Sequence, residues 1–227
     1  MARRFTRLAV MVAVSTVVLT GCGGKKEKGV SGSTESGDSS RHVEAMESGA
    51  KAEDGAKFTD SRDGKTYKTV KVGGKTWMAE NLNFAAEDSK CYENNAGNCE
   101  KYGRLYNWAT ALKACPAGFH LPTDGEWTAL ENAVGGRSTA GTKLKSAAGW
   151  NENGNGTNDF GFSALPGGNG DSGGDFYYAG SSGFWWSATE SHAIYAWYRY
   201  VDDNKVGNVY RYYNDETYLF SVRCVAD

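Results

Sequence analysis

At 227 residues, with 40% hydrophobic side chains and a formal net charge of -2, the chain is long enough to bury one sizeable core and has no basic excess for nucleic acid. Thirty glycines against three prolines, with 7 Trp, 13 Tyr and 9 Phe, fit a loop-rich α+β or β-dominated module better than a helical bundle. Every aromatic except Phe5 lies at or beyond Phe58, which places the start of one globular domain, residues 57–227, near there.

The first 21 residues have the pattern of a targeting segment. Arg3, Arg4 and Arg7 form a basic start, residues 8–20 are apolar but too short to span a bilayer, and Leu19-Thr20-Gly21-Cys22 closes them. That ending resembles the bacterial lipobox, which implies cleavage before Cys22 and acylation of Cys22 as a membrane anchor. Gly23 stands where the inner-membrane retention signal has aspartate, so the resemblance points to the outer membrane, with a periplasmic or a surface-exposed face left open. Residues 22–56 hold no aromatic and few aliphatics, too little to offset the entropy of ordering. They form a flexible tether that holds the domain about 30 Å from its anchor by random-coil scaling.

Asp63-Gly64 and Gly73-Gly74 are hairpin turn signals, and Val70 and Val72 alternate with Lys68 and Lys71, so two or three short antiparallel strands are expected over residues 58–83, with Trp77 inward. Cys91 and Cys99 flank a polar turn. In an exported protein, thiols this near in sequence form a disulfide, and their spacing is not that of a zinc knuckle. Leu105, Trp108, Ala109 and Leu112 fall at i, i+3, i+4 and i+7, which predicts a first helix over residues 104–114, ended by Pro116. Thr123 stands three residues before Glu126, a capping box, and Trp127, Leu130 and Val134 continue an apolar stripe until Gly135 and Gly136 stop this second helix. Residues 141–148 add one short helical turn.

From residue 149 to 183 the chain is rich in Gly, Asn and Asp, interrupted by an alternating candidate strand at residues 160–164. So long a stretch in a compact domain is the first place to look for a ligand. Among its oxygen ligands Asn158, Asp159, Asp171 and Asp175 are candidates for calcium, although no EF-hand register is met and turn formation is the rival account. The chain then ends as antiparallel sheet, with strands over residues 184–190, 194–201, 208–213 and 218–225. In the second of these Ala196, Tyr198 and Tyr200 share one face with Ile194, and Tyr195, Trp197, Arg199 and Val201 the other. One face must cover the helices; the other is a sugar-compatible platform or lies beneath the long loop. Cys224 is left with Cys115 as its uncommitted partner, one of three connectivities for four cysteines.

The stretches DGKTYKTVKVGGKTWMAENLN, CYENNAGNCEKYGRLYNWATA, CPAGFHLPTDGEW, GFSALPGG, GFWWSATE and FSVRCV resemble the Fibrobacter succinogenes major paralogous domain, over nearly all of residues 58–227. The order of elements is similar to the C-type lectin-like fold: two short helices packed on antiparallel strands, with a long irregular Gly/Asn-rich loop. HLPTDGEWTAL and FSVRCV also resemble motifs of the formylglycine-generating, sulfatase-modifying family, which elaborates that fold. That likeness would imply copper-binding cysteines shortly before the final motif, but no cysteine lies between Cys115 and Cys224. The iron-type histidine cluster of its relatives is also missing, since His120 and His192 form no ligand pair, and His120 is expected to make a structural bond. Asp124, Glu126, Glu190 and Asp202 are carboxylates, but no spacing marks a glycosidase pair, and no nucleophile elbow or phosphate loop occurs.

The expectation is therefore a surface-tethered, non-catalytic binding or adhesion lipoprotein for polysaccharide, with no cofactor unless calcium binds. Candidate ligand residues are Trp150, Asn158, Asp159, Asp171, Asp175, Trp185, Glu190 and Arg199, at least one of Trp185 and Trp186 being core. The alternative is a structural or protein-interaction lipoprotein of the envelope; a degenerate sulfatase-modifying-factor-like enzyme ranks third.

Overall fold

The computed structural model describes residues 56–204 and 207–227. The targeting segment, the Cys22 anchor and the tether up to residue 55 lie outside the described residues.

The domain opens with three strands, β1 (Lys57–Thr59), β2 (Thr66–Val72) and β3 (Lys75–Met78), joined antiparallel. Gly73 and Gly74 both take positive φ in the second connection, which only glycine does without strain. In β2, Tyr67, Val70 and Val72 are buried while Thr66, Lys68 and Lys71 face water, and Trp77 of β3 is buried as its pattern requires.

The segment between Cys91 and Cys99 is not merely a polar turn. A helix, α1 (Ala96–Tyr102), starts within it and runs on past Cys99; the Asn95 side chain accepts from the Gly97 amide at its start, and the two cysteines are bonded. The predicted helix over residues 104–114 is shorter. Leu105 and Tyr106 form β4 (Leu105–Tyr106), and only after Asn107 caps the Thr110 amide does α2 (Trp108–Ala114) begin. Sheet pairing outweighs helical periodicity there.

After β5 (Phe119–His120), the capping box forms as expected: Thr123 Oγ1 accepts from the Glu126 amide and Glu126 accepts from the Thr123 amide, starting α3 (Asp124–Ala133). The helical turn expected at residues 141–148 is instead a helix directly after Gly136, α4 (Arg137–Leu144).

The long loop is a correction. Residues 160–164 form no strand beyond one bridge from Ala164 to Lys145, whereas β6 (Gly167–Gly170) and β7 (Phe176–Ala179) pair antiparallel inside the glycine-rich stretch. All four residues of β6 are buried. A Cβ on Gly168, whose φ is 67°, would lie 2.5 Å from the Tyr177 carbonyl oxygen and 2.7 Å from the Ala179 nitrogen. Here glycine permits close backbone approach rather than motion.

The last strands are β8 (Ser182–His192), β9 (Tyr195–Asp202), β10 (Tyr210–Asp215), β11 (Phe220–Ser221) and β12 (Val225–Ala226). The single strand expected over residues 218–225 is divided between two sheets. One has the order β1-β2-β3-β12-β5, with Val225 opposite both Trp77 and His120. The other runs β10-β9-β8-β11-β4, with β6 also on β8, and its β8–β11 and β8–β6 pairings are parallel. Between β11 and β12, Arg223 is fully buried. Its guanidinium donates to Asn81 Oδ1 and to the carbonyls of Met78, Phe162 and Ser163, and burial pulls its pKa down to about 9. Cys224 is bonded to Cys115 at the end of α2.

The architecture is mixed α+β, with four α-helices among the described residues rather than two, and partly parallel sheets. One core cluster gathers Trp77, Trp127, Leu130, Trp150, Phe162 and Trp185; a second gathers Met78, Leu82, Ala111, Trp186, Phe220 and Cys224. Among the described residues no helix is long and apolar enough to cross a membrane.

Candidate functional site

Strand pairing brings a set of rings together. In β8, β9 and β10, Phe184 is opposite Tyr200 and Tyr200 opposite Tyr210; two residues along each strand, Trp186 is opposite Tyr198 and Tyr198 opposite Tyr212. Because side chains alternate, all six project from one face in two parallel rows. Phe220 of β11 packs beneath, with ring centroids 4.3 Å from Trp186 and 4.7 Å from Tyr198.

Burial falls off along these rows. Phe184 and Trp186 are buried, Tyr198 and Tyr200 half-buried, and Tyr212 is 52% exposed at the outer strand. Tyr178 of β7 reaches over from the glycine-rich segment, 6.2 Å from Phe184 and 60% exposed. Between them lies an open groove of about 310 Å³ lined by Tyr178, Ser182, Phe184, Tyr198, Tyr200 and Tyr212. No lining residue is charged.

The hydroxyls of Tyr198 and Tyr200 are held protonated at neutral pH. Burial, and then proximity to Tyr212 and Tyr218, pushes Tyr198 up to about 12. Burial pushes Tyr200 higher still, aided by the hydrogen bond its hydroxyl donates to Asp202 Oδ2 at 2.7 Å. The groove thus offers apolar ring surface with neutral hydroxyls, of which that of Tyr200 is left to accept because its proton goes to Asp202, a set suited to binding an amphipathic ring.

The opposite face of β9 turns inward, which alternation alone left undecided. Arg199 is buried, pairing with Asp124 at 2.7 Å and with Glu131 of α3, and Val201 joins the first core cluster. Further out on that face Arg211 lies 3.3 Å over the Trp197 ring and donates to Asp124 at 2.8 Å, beside Tyr213. Burial works against the Asp124 anion, but bonds from Arg211 and Arg199 outweigh it and hold its pKa below the usual range.

The residues expected to bind ligand do not converge. Trp150 is core, its indole donating to Ser146 Oγ and the Ala164 carbonyl, and Trp185 is core, donating to Asn81 Oδ1 at 2.9 Å. With Arg199 these three are engaged inside the fold: the face of β8 and β9 that carries Trp185 and Arg199 meets α3 and the first core cluster, and Trp150 packs into that same cluster. Asn158 closes its own turn by accepting from the Ser163 amide, and Asp171 does so by accepting from the amides of Gly173 and Asp175. Asp159, Asp175 and Glu190 are exposed. Among the described residues no group of three or more His, Cys, Asp or Glu side chains is placed to hold a metal ion.

His120 makes structural bonds, to Asp227 at 2.7 Å and to Glu126 at 3.0 Å. A recess of about 350 Å³ beside Asp171 and Phe176, and one of about 270 Å³ between Glu80 and Lys101, carry mixed charge and lack an exposed aromatic wall. Of the groove residues, the sequence assigned Tyr198 and Tyr200 to one face; the arrival of Tyr178 depends on the fold of the glycine-rich segment.

A family model, the Fibrobacter succinogenes major domain, matches residues 70–226. No curated protein and no solved structure matches the chain.

Proposed function

The chain belongs to the Fibrobacter succinogenes major domain family, and from that premise we propose that it is a non-catalytic binding module for polysaccharide. The observation that carries this reading is the uncharged tyrosine groove, walled by Tyr178 and Tyr212. Sugar rings present apolar faces and hydroxyl edges, and the groove matches both with ring surface and neutral hydroxyls. Stacking of Tyr200 on Phe184 and Tyr210 limits ring motion, so little freedom is lost on binding.

The same proposal places the module on a flexible tether at the outer membrane through a lipid at Cys22, and reads its α+β architecture as C-type lectin-like. A tether of this kind lets an anchored module sample an insoluble surface, which favours adhesion over transport. A second reading, docking of an envelope protein, draws on the opposite-face patch of Trp197, Arg211 and Tyr213, residue types that dominate protein interfaces.

The test is retention of the full chain on insoluble cellulose, xylan and chitin, compared with Tyr178→Ala and Tyr212→Ala. Retention on at least one glycan that falls in both variants supports the groove. Retention on none of them would sink the reading.

A further inference from the structure

We infer, resting on the polysaccharide reading, that the groove takes an electrically neutral glycan and rejects uronate-bearing or sulfated chains. An anionic sugar needs a cation or a cluster of amide donors to replace its lost hydration, and the groove supplies neither. Its six lining residues are uncharged.

Among the described residues, the ionisable side chain that reaches the lining is an acid. The carboxylate nearest the lining is that of Asp202, bonded to the Tyr200 hydroxyl, and Asp203 follows it. The described cations near these strands are committed elsewhere. Lys145 turns its ammonium inward, donating to the backbone carbonyls of Asp202 at 3.0 Å and Asn204 at 3.3 Å, over the buried Trp150 ring. Arg199 and Arg211 are on the other face of β9 and β10, both bound to Asp124. A carboxylate arriving over Tyr200 would meet the Asp202 carboxylate, while the Lys145 ammonium behind it is bonded to backbone carbonyls and does not line the groove, whereas a neutral ring replaces water at the hydroxyls without an ionic penalty.

Polymers that share one backbone and differ only in charge separate this from glycan binding as such. The full chain is run in native gels cast with hydroxyethyl cellulose or carboxymethyl cellulose, and with the corresponding starches, at low salt. The expected result is retardation by a neutral polymer at least about threefold stronger than by its carboxymethyl partner, the scale of one like-charge repulsion at short range in a water-like dielectric. Tyr212→Ala should weaken the neutral retardation by up to about tenfold, and Asp202→Asn should narrow the neutral-to-anionic ratio. Equal or stronger retardation by the carboxymethyl polymers overturns the inference while leaving glycan binding in place. An unchanged ratio in Asp202→Asn overturns its electrostatic cause. No retardation by any polymer overturns the inference, and removes the polysaccharide reading with it when insoluble cellulose, xylan and chitin also fail to retain the chain.

Discussion

Tyr200 lies against Phe184 across two paired strands, ring centroids 5.2 Å apart and planes within 20°, while its hydroxyl is held by Asp202 at 2.7 Å. The ring is therefore fixed at both ends, and the groove it lines is formed before any ligand arrives. Tyr200→Phe keeps the stack and loses one charge-assisted hydrogen bond. It is expected to cost about 1–2 kcal/mol in urea unfolding, with the groove's shape kept.

Exposure separates groove residues from core residues of the same chemical type. Tyr212→Ala, at an exposed position, is expected to change stability by no more than about 1 kcal/mol while lowering glycan retention up to about tenfold, the worth of one aromatic stack. Trp185→Ala removes a buried indole and its bond to Asn81 and should destabilise by about 3–5 kcal/mol. Thermal melts beside retention assays check both. A retention loss in Trp185→Ala without a stability loss would contradict the assignment.

Arg199 is the buried charge that joins β9 to α3, through Asp124 and Glu131. Arg199→Ala leaves a carboxylate at Glu131 buried without its cation and is expected to cost about 3–5 kcal/mol. Replacing both, Arg199→Met with Glu131→Leu, should recover much of that loss in chemical denaturation, because the desolvated charges leave together.

The two disulfides should differ in worth. Cys115–Cys224 closes a separation of 109 residues and Cys91–Cys99 one of 8, giving about 4.8 and 2.6 kcal/mol from loop entropy before native strain is subtracted. Paired Cys→Ala variants compared by urea unfolding should show the larger loss for Cys115 and Cys224.

The cluster of His120, Glu126, Lys75 and Asp227 gives stability a pH window. Burial opposes the His120 cation, but hydrogen bonds to Asp227 and Glu126 outweigh it and raise its pKa above 6.5. Its stabilisation is thus complete below about pH 6.5 and is lost as pH rises through the raised folded value. Burial likewise opposes the Glu126 anion, yet Lys75, the Thr123 amide and His120 hold its pKa at about 2, down from 4.5. That contribution is present above about pH 4.5 and is lost as pH falls toward 2. His120→Gln should flatten the decline between pH 6 and 8 in urea midpoints and leave most of the acid limb.

Local chemistry made part of this fold legible in the sequence. Thr123 and Glu126 mark the start of α3 because capping involves residues three apart, and the Cys91–Cys99 bond follows from proximity. The helices α1 and α4, AGNCEKY and RSTAGTKL, carry too few apolar residues to announce themselves. Strand β6, GGNG, has no side-chain alternation at all, since its pairing rests on backbone approach that a Cβ would block. Alternation sorted the two faces of β9 correctly. It did not say which face was open, so Trp185 and Arg199 looked as available as Tyr200 until α3 was seen against them.

The slot between β3 and β5 is filled by β12, whose residues are among the last of the chain, while Arg223 just before it anchors Asn81 and the Phe162 carbonyl from within. Without residues 219–226 the domain therefore has an open sheet edge, an unbridged Cys115 and an Asn81 that keeps Trp185 and the Tyr102 carbonyl but lacks the Arg223 guanidinium. Contacts of such long sequence separation form late. Closure of the domain therefore waits for residues 220–226 to dock into both sheets at once.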